Sequence, residues 1–158
     1  QEKREDGKVT TISGTGEATM QEIGLYNKNG DKIEVVNVGE SVEMRIKIKV
    51  NQDLETLVLG YGLKDRLGQV VYGTNTWHTK QIIKYAKKDD VYNFNIKFNA
   101  NLGIGSYSVQ TALTNSDTHL LGNYQWQDLA LVFSVINIDK EYFDGLMWLD
   151  PQCKVKLI

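Results

Sequence analysis

The chain has 158 residues, a length typical of one domain that buries roughly two-thirds of its unfolded surface without covalent staples. Its formal charge of −2, from 18 basic and 20 acidic side chains, gives no field that attracts a polyanion, which disfavours nucleic acid and membrane surfaces as partners. No apolar run approaches the roughly 20 residues that cross a bilayer, and residues 1–10 lack the apolar core of a signal peptide. The single cysteine, Cys153, cannot form an internal disulfide, so we expect a cytosolic domain.

The start of the chain has the composition of a solvated linker. Residues 1–10 carry three basic and three acidic side chains, with almost nothing apolar among them. We therefore expect a tether over residues 1–15 and one folded domain over residues 16–158. Gly14, Gly16 and Gly24 accompany an early predicted strand over residues 17–26, where glycine indicates a bulge or a close backbone approach near a sheet edge.

Two segments in the first half predict strands. Residues 42–50 alternate strictly between apolar and polar side chains, and this period of two places every apolar side chain on one face. The opposite row, which includes Arg45 and Lys47, is typical of plain solvated surface. Residues 61–76 predict a β-hairpin whose turn is built on Asp65 and Gly68.

The second half predicts further strands over residues 92–98, 107–113 and 129–138, by the same alternation. Turn-forming residues separate all of these segments, which is typical of an antiparallel all-β sandwich. Helical periodicity is weak throughout the chain. The best candidate for a helical turn is residues 139–145, which Asp139 would cap.

The C-terminal segment, residues 143–158, is too apolar to be a frayed end. It either covers its own sandwich or crosses to a second copy of the chain, because sandwich edges invite the addition of a strand. The break at Asp150 and Pro151 would leave a final strand for such an exchange. The residues that we predict to contribute to dimerisation are Phe143, Trp148, Val155 and Leu157.

Catalytic and metal motifs are not evident. The sequence has no phosphate-binding loop, so the glycines near Gly62 and Gly68 are interpreted as turn glycines. Two histidines far apart in sequence do not make a metal site, and Cys153 has no neighbouring base to activate it. We therefore expect neither a catalytic residue nor a metal or cofactor, although a carboxylate pair across a cleft, as glycosidases use, would leave no sequence motif.

Carbohydrate binding has more support. Aromatic rings flanked by Asn or Gln suit sugars, whose apolar faces stack on rings while hydroxyls bond to planar amides. A row of small polar residues beside Gln110 leaves room for a ligand, although Tyr124 or Trp126 would also suit a sandwich core. The predicted carbohydrate contacts are Asn75, Trp77, His78, Ser108, Gln110, Tyr124 and Trp126.

The order of several short motifs resembles the C-terminal domain of Wzt, the ATPase subunit of the ABC exporters that move O-antigen polysaccharide across the bacterial inner membrane. From about residue 14 onward, the motifs are G-x-G-x-A at 14–18, Y-G-L-K-D-x-x-G at 61–68, Y-G-T-N-T at 72–76, L-G-I-G-S-Y at 102–107, F-S-V at 133–135 and F-D-G at 143–145. The resemblance implies an immunoglobulin-like β-sandwich that is dimeric, with its C-terminal strand exchanged between protomers.

The same resemblance implies a non-catalytic domain that recognises the modified non-reducing end of one O-antigen polysaccharide. It implies a position at the cytoplasmic face of the inner membrane, with contact to the membrane-spanning exporter subunit made through an ATPase domain that this sequence does not contain. Two other functions remain open from the residues alone. One is a structural module for dimerisation or protein interaction, and the other is a glycan-cleaving enzyme.

Overall fold

A computed structural model describes residues 2–3, 9–116 and 122–158. All regular secondary structure in these ranges is β-strand. The strands are β1 (Glu2–Lys3), β2 (Val9–Thr10), β3 (Ile12–Ser13), β4 (Ala18–Asn27), β5 (Lys32–Ile33), β6 (Val35–Asn37), β7 (Ser41–Val50), β8 (Leu54–Lys64), β9 (Val70–Asn75), β10 (Ile83–Ala86), β11 (Val91–Asn99), β12 (Gly105–Thr114) and β13 (Gln125–Ile136). Nothing in these described ranges forms a helix that could span a membrane. The predicted all-β class is confirmed.

The strands form an open, immunoglobulin-like antiparallel sandwich of two sheets. The front sheet has the order β10-β8-β12-β13-β3, with β9 also pairing with β8 and β6 running parallel to β13. The back sheet has the order β11-β7-β4-β5. Within residues 1–15, where the composition suggests a tether, β1 pairs with β2, and β3 joins the edge of the front sheet through β13.

The core lies between the sheets and is built from alternate residues of each. The apolar row of β7, on the strand predicted over residues 42–50, is no more than 3% exposed. It packs in one cluster with front-sheet side chains that include Tyr107 and Phe133, whose ring centroids lie 5.8 Å apart. Each large apolar side chain buried in this way contributes about 1.5–3 kcal/mol, so the alternation itself holds the two sheets together.

The predicted hairpin is confirmed, because β8 and β9 pair antiparallel across the turn. The Asp65 Oδ1 atom accepts the backbone N–H groups of Leu67 and Gln69, each at 2.9 Å. Gly68 has a φ of +80°, a left-handed conformation that glycine adopts without steric cost. Asp65 and Gly68 therefore turn the chain for the reasons that the sequence indicates.

The predicted helical turn at residues 139–145 is wrong, since this segment consists of bends without a helix. The Asp139 carboxylate does not cap a helix, because its Oδ1 atom accepts a hydrogen bond from the Asn37 side chain at 2.8 Å. Asn137 holds the backbone of this segment instead. Its Oδ1 atom accepts the Lys140 backbone N–H at 2.8 Å, and its side-chain amide donates to the Lys140 carbonyl at 3.0 Å. These bonds fold the segment after β13 back onto the sandwich.

The C-terminal segment divides into a packed part and an exposed part. Phe143 and Trp148 pack against the core of their own chain, and the Trp148 N–H donates to the Asn101 carbonyl at 3.1 Å. The Trp148 ring lies over Gly39, where a Cβ would stand 2.8 Å from it. Beyond Pro151 no strand forms in this chain, and Val155 and Leu157 are 94% and 97% exposed.

Candidate functional site

A cleft of about 270 Å³ lies on the outward face of the front sheet, over a floor of residues with little or no side chain. Gly60 and Gly62 of β8 pair with Asn75 and Gly73 of β9 on one side, and Gly60 pairs with Ala112 of β12 on the other. Side chains at these positions point away from the core because their neighbours in sequence, such as Leu59 and Leu63, belong to it. We call the three glycines, Gly60, Gly62 and Gly73, the glycine floor.

The backbone does not require glycine at the floor. None of the three residues has a positive φ, and a Cβ built on Gly60, Gly62 or Gly73 would meet no atom closer than 3.4 Å, which is ordinary contact. Glycine inside a strand is less favourable than alanine by about 0.5–1 kcal/mol. Because neither conformation nor crowding explains these glycines, the property that they share is the open space that they leave above the sheet.

The wall on the β9 side is built by a short turn that follows the strand. Thr76 is buried and tied to β8 twice, since its N–H donates to the Leu59 carbonyl at 2.9 Å and its Oγ1 accepts the Leu59 N–H at 3.0 Å. Asn75 accepts the His78 N–H at 2.9 Å through its side-chain oxygen. This arrangement fixes His78 at the rim, where Asn75 and His78 both line the cleft.

Gln110 of β12 lies beside the glycine floor and belongs to the lining of the cleft. Its Cγ and Nε2 atoms would be 3.4 and 3.5 Å from a Cβ on Gly62, so the amide lies directly over that glycine. Thr114 and Ser116 complete the lining at the end of the strand. Among the described residues, neither the Gln110 amide nor the His78 imidazole has a hydrogen-bond partner within the chain, which leaves both groups for a ligand.

The structure brings together three of the seven predicted carbohydrate contacts, namely Asn75, His78 and Gln110. Trp126 pairs with Ala112 and is half-buried, so it stands next to the cleft but outside its lining. Trp77 is 39% exposed and does not line the cleft either.

Tyr124 and Ser108 lie in different surroundings. Tyr124 packs against the core and its hydroxyl donates to the Thr56 carbonyl at 3.1 Å, while burial raises the pKa of this phenol, with smaller contributions from nearby carboxylates. Ser108 is only 8% exposed. Lys64 of β8 reaches Asp128 of β13 at 3.6 Å, and this ion pair crosses β12, the strand that carries Ser108.

A bulge in β13 accompanies the cleft. Val109 pairs with Leu131 and Thr111 with Gln127, so three residues of β13, 128–130, stand opposite Gln110 alone. Leu129 within the bulge has a φ of +49°, which is uncommon for a residue with a side chain. Bulges re-aim side chains at the rims of sites, and this one brings Asp128 to Lys64.

The glycine floor was not predicted from the sequence. Gly62 was interpreted as a turn glycine, but it lies inside β8, three residues before Asp65. The signal that could have revealed it is the spacing of Gly60 and Gly62, which occupy the polar positions of an alternating strand and therefore share its outward face. The Lys64–Asp128 ion pair has no comparable signal, because it depends on the strand order.

The chemistry of the cleft is neutral. Its lining contains no Asp, Glu, Lys or Arg, and His78 and Tyr61 are its titratable residues. Within the part of the chain that the structure describes, no three His, Cys, Asp or Glu side chains group as metal ligands. The arrangement offers amide, imidazole and hydroxyl groups above a C–H-rich floor, which suits a neutral, polyhydroxylated ligand.

Comparisons with known proteins address the family. A family model described as the Wzt C-terminal domain matches residues 9–149. The crystal structure of the C-terminal domain of Wzt has a TM-score of 0.79 to this chain at 16% sequence identity, covering 93% of this chain and 89% of that one. At this identity the structural likeness concerns the fold.

Other comparisons add little. No curated protein matches the chain. Two crystal structures of a β-glucosidase from Listeria innocua, with gluconolactone and with glucose, have TM-scores of 0.41 and 0.40 at 10% and 11% identity. They cover 80% and 82% of this chain but 16% of their own, a likeness too weak to bear on function. Because the family model spans most of its length, the chain belongs to the Wzt C-terminal domain family.

Proposed function

We propose that this domain binds carbohydrate in the cleft above the glycine floor and recognises the modified non-reducing end of an O-antigen polysaccharide for export by an ABC transporter. Membership of the Wzt C-terminal domain family supports the class of ligand. The observation that supports this position for the binding site is the glycine floor. Neither backbone conformation nor crowding requires glycine at its three positions.

The physical properties of the cleft fit a sugar chain end. The Cα atoms of the floor form an apolar surface on which the C–H face of a sugar ring can lie, while Asn75, His78 and Gln110 supply hydrogen bonds from the rim. The volume of about 270 Å³ lies below the roughly 300–1,000 Å³ of sites for drug-sized ligands. A terminus or a short segment fits this space better than a long stretch of polymer.

The expected affinity is modest. A few hydrogen bonds must offset the ordering of flexible sugar linkages, so we expect a dissociation constant nearer micromolar, about −8 kcal/mol, than nanomolar. Two cleft copies on one dimer would raise the apparent affinity for a densely displayed glycan without any new contact.

Filling the cleft tests the proposal directly. Gly62→Val should weaken binding of O polysaccharide, purified from the bacterium that encodes this chain, by at least about 100-fold, or about 2.7 kcal/mol, because the added methyl groups occupy the space of the sugar ring. Isothermal titration calorimetry with the intact polymer and with polymer trimmed at its non-reducing end separates end recognition from mid-chain binding.

Lys49→Val is the matched control, because it places the same side chain on the outward face of the back sheet. Saturable binding that Gly62→Val leaves unchanged would move the site elsewhere. No saturable binding by the wild-type chain would exclude the carbohydrate function, and new reducing ends after long incubation would instead indicate a glycan-cleaving enzyme.

The proposed dimer with an exchanged C-terminal strand also has support from the structure. In the described residues, β11 pairs with β7 on one side and has no partner on the other, and its inward residues, such as Phe94 and Ile96, stay half-buried. An apolar cavity of about 310 Å³ opens nearby between the sheets, against Leu63, Tyr72 and Phe98. A free edge of this kind accepts an added strand.

The segment after Pro151 has the pattern that this edge requires. Val155 and Leu157 alternate with Lys154 and Lys156, and all four are exposed within one chain. We propose that residues 152–158 of a second copy cover β11 and the cavity beside it. Phe143 and Trp148, which pack on their own chain, would then hold the base of the exchanged segment rather than form the interface.

Removing residues 152–158 tests the exchange. Sedimentation velocity should show the full chain as a dimer and the shortened chain as a monomer, because the segment carries the exposed apolar row. An unchanged dimer would contradict the exchange. If the shortened chain still binds polysaccharide, the β11 edge serves dimerisation alone and not ligand binding. A full-length dimer without any glycan affinity would favour the alternative function, a structural module for protein interaction.

A further inference from the structure

The outward face of the back sheet contains an arginine that is held in place by two neighbours. The Arg45 guanidinium carbon lies 4.1 Å from the centroid of the Tyr26 ring, a stacked cation–π geometry. The Arg45 Nε–H donates to the Glu43 Oε1 atom at 2.6 Å. The contact with the ring and the hydrogen bond together restrict the orientation of the guanidinium.

The Tyr26 ring itself is positioned by a glycine. A Cβ on Gly24 would stand 2.9 Å from a ring carbon of Tyr26, 3.2 Å from its hydroxyl and 3.1 Å from the Lys32 side chain, so a larger residue there requires these side chains to shift. Gly24 stands opposite Arg45 in the pairing of β4 with β7. Gly24 thus leaves room for the Tyr26 ring, and that ring contacts the Arg45 guanidinium.

The remaining donors of this group lack partners. Among the described residues, no hydrogen bond engages the terminal nitrogen atoms of Arg45, because the Glu43 contact uses Nε. Asn95 of β11 stands directly opposite Arg45, and Asn93 stands opposite Lys47; both asparagines are exposed and their amides make no hydrogen bond within the described chain. These side chains surround a concave region of about 420 Å³.

The charges that line this region balance, since Arg45 and Lys47 face the carboxylates of Glu22 and Glu43. Lys47 lies 3.5 Å from Glu22, and Lys97, outside the lining, lies 3.8 Å from the Glu43 carboxylate that also holds Arg45. The Lys47–Glu22 pair is exposed on both sides and contributes little to stability, whereas the Glu43 side chain is 17% exposed and anchors Arg45.

We propose that this region binds an oxyanion, a carboxylate or phosphate group borne by a sugar, between the Arg45 fork and the Asn95 amide. A planar guanidinium gives two parallel N–H donors that match the two oxygens of such a group, and its fixed orientation reduces the ordering cost of binding. This proposal rests on the proposed function in one respect, which is that the acidic sugar would be a residue of the same polysaccharide.

The site is separate from the cleft in position and in chemistry. The cleft lies on the opposite sheet, and its lining has no charged side chain, so it has no group that favours an anion. The outward row of β7, which was interpreted from the sequence as plain solvated surface, would then select polymers that carry acidic residues. The cleft would bind the end of the same polymer.

Nuclear magnetic resonance titration of the 158-residue chain tests this directly. Glucuronic acid, glucose 1-phosphate, inorganic phosphate and neutral glucose are added separately, and the backbone and side-chain amide signals of Arg45, Asn93 and Asn95 are followed. We expect saturable shifts with glucuronic acid or glucose 1-phosphate and none with glucose. A response to only one of the two acids identifies whether the carboxylate or the phosphate is the recognised group.

The key variant is Arg45→Lys, which keeps the charge but loses the planar fork, and it should weaken binding about tenfold. Lys49→Gln removes a charge from the same row without touching the fork and should leave binding within about twofold. Asn95→Ala gives a second variant, at an exposed outward position of β11 where little effect on folding is expected, and it should also weaken binding.

Equal binding by wild type and Arg45→Lys, shifts that never saturate, or equal shifts with glucose would each overturn the proposal. A response to inorganic phosphate alone, with neither acidic sugar, would also overturn it. Gly62→Val separates the two proposals: if it abolishes polymer binding but leaves the oxyanion shifts intact, both stand. Polymer binding without oxyanion shifts contradicts this site alone, and oxyanion shifts without polymer binding contradict the proposed function alone.

Discussion

The two outward faces of the sandwich use the same strand geometry for opposite surfaces. The front face is neutral and open, because glycines at three outward positions leave the sheet bare beneath Gln110 and His78. The back face carries long charged side chains around a concave region, several of them paired with one another, and the glycine of its strands, Gly24, lies next to the Tyr26 ring. The comparison shows that an outward glycine has two distinct meanings, an open space or a packing requirement.

The largest expected difference between the faces is in stability. Gly24→Val should destabilise the chain by about 1–3 kcal/mol, because the new side chain displaces Tyr26 and the Arg45 stacked on it. Gly62→Val should change the free energy of unfolding by less than about 0.5 kcal/mol, since the added Cβ meets only ordinary contacts, the γ-methyl groups point toward the open cleft, and glycine is entropically costly in a strand.

Urea denaturation of the two variants measures this contrast. Equal losses at Gly24 and Gly62 would mean that the front floor is also a packing requirement, and the functional interpretation of its glycines would fail. A loss at Gly62 alone would reverse the assignment of the two faces.

A smaller effect concerns the Lys64–Asp128 ion pair, which crosses the front face near the cleft. Lys64→Ala should cost less than about 1 kcal/mol, because the Lys64 and Asp128 side chains are 19% and 33% exposed and the pair is partly screened. It should also uncover Ser108, since the pair crosses the strand that carries this residue.

Thiol labelling reports the second part of this expectation. In a Cys153→Ser background, a cysteine at position 108 should react slowly with a maleimide when Lys64 is present and several-fold faster in the Lys64→Ala variant. An unchanged rate would show that Ser108 is covered by something other than the ion pair.

The smallest effect lies outside both faces, at Asp139. The hydrogen bond from Asn37 and the neighbouring Lys140 ammonium hold the pKa of this carboxyl below its ordinary value of 3.8. A depressed folded-state pKa means that the contribution to stability is complete above the unfolded value and is lost as the pH falls through the folded one. The stability difference between wild type and Asp139→Asn should therefore be present at pH 7, begin to shrink as the pH falls to about 3.8, and be lost only below the lower folded-state pKa.

Chemical denaturation at pH 7, 5 and 3 checks this sign. A difference that grows toward low pH would mean that Asp139 gains its partners only when protonated. Lys84→Gln serves as the control, because this lysine is exposed and takes no part in the contacts of Asp139.

The sequence predicted those parts of the fold that depend on neighbours along the chain. Strict alternation over residues 42–50 and 92–98 predicted β7 and β11, and the Asp65 and Gly68 turn predicted the β8–β9 hairpin. The motif order predicted the family. Each of these signals is local, because the side-chain period and the turn chemistry depend on residues a few positions apart.

The site was predicted only in part, because it depends on strand order. Asn75, His78 and Gln110 converge since β9, β8 and β12 are neighbours, whereas Ser108 is only 8% exposed, on a strand that lies between the partners of the Lys64–Asp128 ion pair. The failed helical turn at residues 139–145 has a similar cause, since Asn37, a partner 102 positions away, takes up the Asp139 carboxylate. Contacts between distant segments override local preference in both cases.

The glycine floor has a consequence for how the domain changes over generations. A glycine codon reaches alanine, serine, valine and acidic or basic residues by a single base change, and the floor positions tolerate a Cβ without strain. Substitutions at Gly60, Gly62 and Gly73 can therefore reshape the ligand space while the fold keeps its stability. If the cleft binds polysaccharide as proposed, specificity for a new polymer is open to selection at positions that folding leaves free.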